Sequence, residues 1–178
     1  GSGTNAQAIM KHFENLGQAD VALVVCNKPG AGVIERAVNR GVKTVLISKD
    51  DVSSGELLEI LKANEIDFVV LAGYLWLIPD YLVKAYPNKI INIHPALLPN
   101  YGGKGMYGMN VHRAVIANGE TQSGITIHFV NERYDEGQII FQATCEVKPN
   151  DTPETLAERI HKLEHKHFPV QLEKLIAS

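Results

Sequence analysis

Four short apolar runs recur between Val21 and His94, and each leads into a stretch with helical spacing. Val21–Cys26 precedes a helical pattern over Gly32–Arg40, and Lys43–Ser48 precedes one over Ser53–Asn64. Phe68–Ala72 leads to a short helix from Pro79. Lys89–His94 leads, after a loop, to a helix over Gly108–Asn118. A strand that is apolar on both faces needs cover on both faces. The alternation therefore predicts an α/β fold, with an open, mostly parallel twisted sheet and helices on both faces. An amphipathic helix over Asn5–Leu16 opens the chain. The pattern changes after Asn118. Gly124–Val130 and Gln138–Val147 lie a short loop apart, which predicts antiparallel end strands. Thr152-Pro153 reads as an N-cap with proline in the first helical position, opening a last helix towards Ile176 with a bend at Pro169. At 178 residues the chain reads as a single domain, 1–178.

Composition narrows the function classes. The net charge is −3 and no block of Lys or Arg exists, so the footprint of a nucleic-acid binder is missing. The longest apolar run, Phe68 to Pro79, is too short and too interrupted by glycine to span a bilayer. No signal peptide is recognisable. Cys26 and Cys145 lack Cys-x-x-Cys spacing, which fits a reducing cytoplasmic compartment better than a disulfide or zinc scaffold.

The fourth run ends in the segment that carries chemistry, Asn92-Ile93-His94-Pro95-Ala96-Leu97-Leu98-Pro99. Side chains alternate along a strand, so Ile91 and Ile93 share one face and Asn92 and His94 the other. Pro95 removes a backbone donor and stops the ladder. An amide and an imidazole thus leave the end of a buried strand side by side. Two polar groups are costly there unless they are hydrogen-bonded or used. A lone core histidine would be the plain explanation; the paired Asn-x-His between prolines favours a site.

Two further motifs have competing readings. Gly1-Ser2-Gly3-Thr4-Asn5 opens a helix, where glycine lets the backbone approach a ligand and free N–H groups suit a phosphate. Gly1-x-Gly3-x-x-Ala6 also matches the dinucleotide fingerprint, but that reading wants an acidic residue after the next strand, and Cys26-Asn27-Lys28 stands there. A nicotinamide cofactor is discounted. In the last helix, His161-x-x-Glu164-His165 matches a zinc peptidase pattern, with Glu173 as a third ligand. The match is short, and flanking Lys and His suit a solvated face, so a zinc-dependent hydrolase is a remote alternative. His165 and His167 read as surface residues. His112, on the helix behind the glycine-rich loop, reads as surface or core at least as readily as catalytic.

The strand-exit segment, the opening Gly-rich loop, Leu71-Ala72-Gly73-Tyr74, Asp135-Glu136-Gly137 and Glu164-His165 together resemble the folate-dependent formyltransferases. The resemblance covers essentially the whole chain and implies their Rossmann-like fold. It implies transfer of a formyl group from 10-formyltetrahydrofolate, as co-substrate, to the amine of phosphoribosylglycinamide in purine synthesis. Relatives acting on a methionyl-tRNA, an amino sugar or water are the alternatives. The resemblance assigns catalysis to Asn92, His94 and Asp135, with Asp135 holding and orienting the charged imidazole. It assigns the substrate phosphate and ribose to Gly3, Thr4, Asn5, His161 and Glu164. It assigns the folate to Leu75, Leu77, Ile78, Asn131 and Asp135, and makes His128 a supporting residue behind them. Trp76 departs from the family's usual Arg, and Gly102–Gly108 is longer than in many relatives. The family has a short apolar strand ahead of the first loop, where this sequence begins with the loop itself. Small-molecule substrates, no metal, no nicotinamide, no nucleic acid, no membrane, and a monomer or homodimer are expected.

Overall fold

The computed structural model describes residues 2–178. Gly1, which belongs to the opening loop and to the dinucleotide fingerprint, and the strand expected ahead of it lie outside the described residues. The elements in chain order are α1 (Thr4–Phe13), β1 (Leu23–Cys26), α2 (Gly32–Val38), β2 (Lys43–Leu46), α3 (Lys49–Ser54), α4 (Glu56–Ala63), β3 (Val69–Leu71), α5 (Asp80–Ala85), β4 (Ile90–His94), α6 (Met109–Ala117), β5 (Gln122–Phe129), β6 (Ile139–Glu146) and α7 (Pro153–Ala177).

Among the described residues the strands form two groups, β1-β2 and β3-β4-β5-β6. β1 runs parallel to β2, and β3 parallel to β4. Both groups rest on one apolar layer: Ile47, Leu57, Leu61, Ile78, Leu82 and Ile90 pack together, with Val25, Val45, Val69 and Leu71 against them. A second, larger core joins Ile91 and Ile93 of β4 to Phe13 of α1, Val111 and Val115 of α6, Ile125 and Ile127 of β5, and Leu156, Ile160, Phe168 and Leu172 of α7. The α/β class and the open sheet follow the sequence pattern.

Four details differ from it. The antiparallel part begins one strand earlier, because β5 pairs antiparallel with β4 as well as with β6. The stretch expected as one helix over 53–64 is two, α3 and α4, broken at Gly55 with φ 90°. α3 starts early because Ser48 and Asp51 form a reciprocal capping box. These hydrogen bonds from Ser48, backbone first, hold the Asp51 carboxyl below its ordinary range. The opening helix ends at Phe13 rather than Leu16. α7 runs for 25 residues with Pro169 inside it. Its start is as read: Thr152 caps the helix and Pro153 takes the first turn.

Candidate active site

β4 is an inner strand of the four-stranded group, and its carboxyl end carries the reactive pair. Ile91 pairs with Phe129, Asn92 with His128, Ile93 with Ile127 and His94 with Thr126 across the antiparallel ladder. The apolar pairs face the core and the polar ones face a cleft, as the two-residue period of a strand requires. That cleft has a volume of about 630 Å³. It is lined by every residue assigned above: Gly3, Thr4, Asn5, Leu75, Leu77, Ile78, Asn92, His94, His128, Asn131, Asp135, His161 and Glu164. It also takes in Trp76, Lys104, Met106, Tyr107 and His112.

The hydrogen bonds fix how the polar groups are presented. His128 Nδ1 donates to the Phe129 carbonyl at 2.9 Å, so its Nε2 carries a lone pair. Asn92 Nδ2 donates to that nitrogen at 3.1 Å. One amide hydrogen of Asn92 is used there and the other remains for the cleft. Burial is the main cause that keeps the His128 imidazole below its usual range, which preserves it as the neutral acceptor Asn92 needs. His94 is 3 % exposed, and its Nε2 donates to the Tyr101 carbonyl at 2.7 Å. Its other nitrogen, Nδ1, stands 3.6 Å from Asp135 Oδ2. The second Asp135 oxygen lies 3.7 Å from His128 Nε2. At these separations, beyond hydrogen-bond length, the carboxylate acts on the rings through its charge.

Asp135 sits in a left-handed turn, φ 56°, and its Oδ2 accepts the Gly103 N–H at 3.0 Å. The neighbouring Gly137 has no space for a side chain, because a Cβ there would lie 1.6 Å from the Phe129 carbonyl oxygen. Asp-Glu-Gly is therefore a turn in its backbone and a charge partner in its side chain. Asn131 accepts the Arg133 N–H and shapes the same loop.

A second region of the cleft is built at the start of α1. Gly3 has φ 76°, and a Cβ on it would lie 2.6 Å from the Val33 Cα of α2. No side chain caps α1, so its first N–H groups are left for a ligand, in the field of the helix N-terminus. Beside it, Asn5 Nδ2 donates to Glu164 Oε2 at 2.9 Å. Asn5 Oδ1 is buried without a partner among the described residues. Glu164 is 6 % exposed, and it sits in the i, i+4 row of Leu156, Ile160, Phe168 and Leu172 that faces the core. Burial pushes its carboxyl up, opposed by the Asn5 hydrogen bond. Of the two histidines read as surface residues, His165 is exposed, while His167 is half-buried against Phe141, which corrects that reading there.

The third region is apolar. Ile78 is buried, whereas Leu75 and Leu77 remain 51 % and 45 % exposed at the rim. Trp76 packs edge-on to Tyr74 with the Lys49 ammonium over its indole at 5.6 Å. Among the described residues no group of three or more His, Cys, Asp or Glu is arranged to hold a metal ion. His161 and His165 stack with ring centroids 6.5 Å apart.

Sequence reasoning left three groups of the site without an assigned role. Tyr101 meets His94 through its backbone, which no side-chain pattern reveals. His112 is 2 % exposed with Nδ1 unpartnered among the described residues, and burial, then the charges of His161 and His94, push it down to about 4. The surface alternative for it is excluded. Tyr74 hides its hydroxyl in the same wall, and burial raises it to about 12.

Comparison with known proteins follows the same lines. The model of the family described as "Formyl transferase" matches residues 1–172. A chloroplastic phosphoribosylglycinamide formyltransferase from Arabidopsis thaliana is 50 % identical over 84 % of the chain, which spans 53 % of that protein. The chain thus spans about half the length of that relative. The phosphoribosylglycinamide formyltransferase of Bacillus subtilis (strain 168) is 41 % identical over 99 % of the chain and 91 % of its own length. The crystal structure of glycinamide ribonucleotide transformylase 1 from Geobacillus kaustophilus superposes with a TM-score of 0.90 at 40 % identity, covering 99 % of this chain and 94 % of that one.

Proposed function

The chain belongs to the formyl transferase family, and we propose that it transfers the formyl group of 10-formyltetrahydrofolate to the amine of phosphoribosylglycinamide. The observation that carries this reading is the placement of Asn92, His94 and Asp135 around one point of the cleft, between an anion-ready helix start and an apolar wall.

The substrate phosphate takes the free N–H groups at the start of α1, with Gly3, Thr4 and Asn5 around it and His161 at the rim. Glu164 accepts from the ribose hydroxyls. The pterin of the donor lies against Leu75, Leu77 and Ile78, with Asn131 and Asp135 at its polar edge. The amine then attacks the formyl carbon, forming a C–N bond and moving an electron pair onto the formyl oxygen. The free N–H of Asn92 and the Nδ1–H of His94 donate to that oxygen. His94 carries a proton on each ring nitrogen here, with Asp135 as its counter-ion. The Asp135 carboxylate takes the proton lost by the amine, directly or through water. Collapse of the tetrahedral intermediate breaks the bond to the folate nitrogen, which takes up a proton. Every step is proton or group transfer, so the reading calls for neither a metal nor a nicotinamide. The free thiols Cys26 and Cys145 support a reducing, cytoplasmic setting. The residues assigned to the site line one cleft of a single chain, which is compatible with a monomer or a homodimer.

Kinetics of Asn92→Ala and His94→Ala test the assignment. Each loses one donor to the oxyanion, worth roughly 10²–10³-fold in kcat, with little change in KM. Near-normal turnover in either variant sinks it.

A further inference from the structure

Both charged partners of the site are held by the backbone of one loop. The Tyr101 carbonyl accepts from His94 Nε2 at 2.7 Å, and the Gly103 N–H donates to Asp135 Oδ2 at 3.0 Å. Between them Gly102 passes so close that a Cβ on it would lie 3.2 Å from Asp135 Cβ and 2.6 Å from Leu98 Cδ2. This loop does not hold itself in place. Its next residues include glycines at positive φ, Gly103, Gly105 and Gly108, and Tyr101 itself has φ 56°. A tyrosine leaves the left-handed region when nothing restrains it. Its carbonyl would then turn away from His94.

The restraint is the phenol. Its ring packs against the main core. The Tyr101 hydroxyl donates to Glu120 Oε1 at 2.6 Å and accepts from Asn118 Nδ2 at 2.9 Å. Asn118 caps the end of α6, and Glu120 follows two residues later. The tether therefore ties the loop to a helix whose Val111 and Val115 are buried in that core.

We propose that Tyr101 is a positioning residue: its side chain, anchored on Asn118 and Glu120, holds its own carbonyl on His94 Nε2 and so keeps the Nδ1 edge turned to Asp135 and the reacting formyl group. This rests on the formyl-transfer reading for its kinetic consequence, but not for its structural one. With Nε2–H fixed on a carbonyl, the neutral imidazole has one tautomer, and its lone pair is on Nδ1. Released from the carbonyl, the ring samples both tautomers and both orientations.

The test is Tyr101→Phe, with Glu120→Gln as the conservative variant that keeps an acceptor. Two readouts are taken on the full chain: steady-state formyl transfer, and NMR of isotope-labelled histidine, which reports which nitrogen of His94 carries the proton. At a pH where the ring is neutral, His94 of the unaltered protein shows the Nε2–H tautomer. Tyr101→Phe gives a tautomer mixture and a kcat lower by roughly 5–30-fold with KM held, short of the ~10²-fold cost of a full ångström of misplacement. Glu120→Gln stays close to the unaltered protein in both readouts. An unchanged tautomer in Tyr101→Phe overturns the proposal, as does unchanged kcat. A drop in melting temperature without either change assigns the tether to stability alone and also overturns it. If Tyr101→Phe does not fold, Asn118→Ala and Glu120→Ala, both at exposed positions, carry the same two readouts. A protein without formyl transfer, in which the tautomer nevertheless shifts in Tyr101→Phe, refutes the reaction and leaves the tether standing.

Discussion

Thr126→Val is the substitution whose cost the structure defines most closely. Thr126 is fully buried and pairs with His94 across the ladder. Its hydroxyl donates to the Ala96 carbonyl at 2.7 Å and accepts from Leu98 N–H at 3.0 Å and from Gln142 Nε2 at 2.9 Å. Valine has nearly the same shape but no hydroxyl. Gln142 keeps its other acceptor, the Leu98 carbonyl. The Leu98 N–H and the Ala96 carbonyl lose the partner Thr126 supplied. Each orphaned buried group costs about 1–3 kcal/mol, and part is returned by the more apolar side chain, so the net loss is about 2–4 kcal/mol. For a domain of this size that is a fall of roughly 5–15 °C in Tm. Urea unfolding followed by the fluorescence of Trp76, the single tryptophan, measures it. The midpoint moves to lower urea with the slope held. Because residues 96–98 are the exit from His94, kcat falls as well. Thr126→Ser keeps the hydroxyl and loses only a methyl, about 1 kcal/mol. If Thr126→Val were no worse than Thr126→Ser, the hydroxyl would not be what holds the exit from β4.

His112 makes the fold acid-sensitive. Its imidazole is held neutral down to about 4, against 6.5 when unfolded, so the unfolded chain binds the extra proton and stability drains as pH falls from 6.5 towards 4. The loss is about 1–3 kcal/mol, and His112→Asn flattens the slope of stability against pH in that window, which urea titrations at a series of pH values measure. An unchanged slope contradicts the assignment. Glu164→Gln leaves one acceptor but removes the charge facing the ribose; KM for the ribonucleotide rises roughly tenfold, and KM for the folate holds, in steady-state kinetics. Equal effects on both substrates would place Glu164 elsewhere. Gly3→Ala forces a side chain onto Val33 and closes the start of α1. It weakens inhibition by inorganic phosphate, and unchanged inhibition would move the phosphate to another part of the cleft.

Legibility in the sequence followed the mechanism by which each residue acts. Asn92 and His94 were readable because a strand sorts side chains by twos and Pro95 marks its end. The capping of α7 was readable because Thr-Pro is a local signal. Glu164 could have been placed from its spacing alone: it stands four residues from Ile160 and from Phe168, in the apolar row. The dense charges around it, Lys162, His165 and Lys166, masked that row. The break at Gly55 was concealed because Val52 of α3 and Leu57 and Leu61 of α4 bury in one layer, and only the Ser48–Asp51 box announces the earlier start. In its backbone Asp135 is a turn residue, with φ 56°. Its partnership with His94 spans the sheet, and no local pattern contains it. Tyr101 was invisible because it serves His94 through a carbonyl that every residue possesses. His128 shows the same limit in part: the strand places it on the cleft, but only the Phe129 carbonyl determines which of its nitrogens meets Asn92.

The central claim is tested by following tetrahydrofolate release from 10-formyltetrahydrofolate in the presence and absence of phosphoribosylglycinamide, with His94→Ala in parallel. The account predicts product only when the ribonucleotide is present, and almost none with His94→Ala. Product formed equally without the ribonucleotide would make water the acceptor and contradict the account, as would full turnover by His94→Ala.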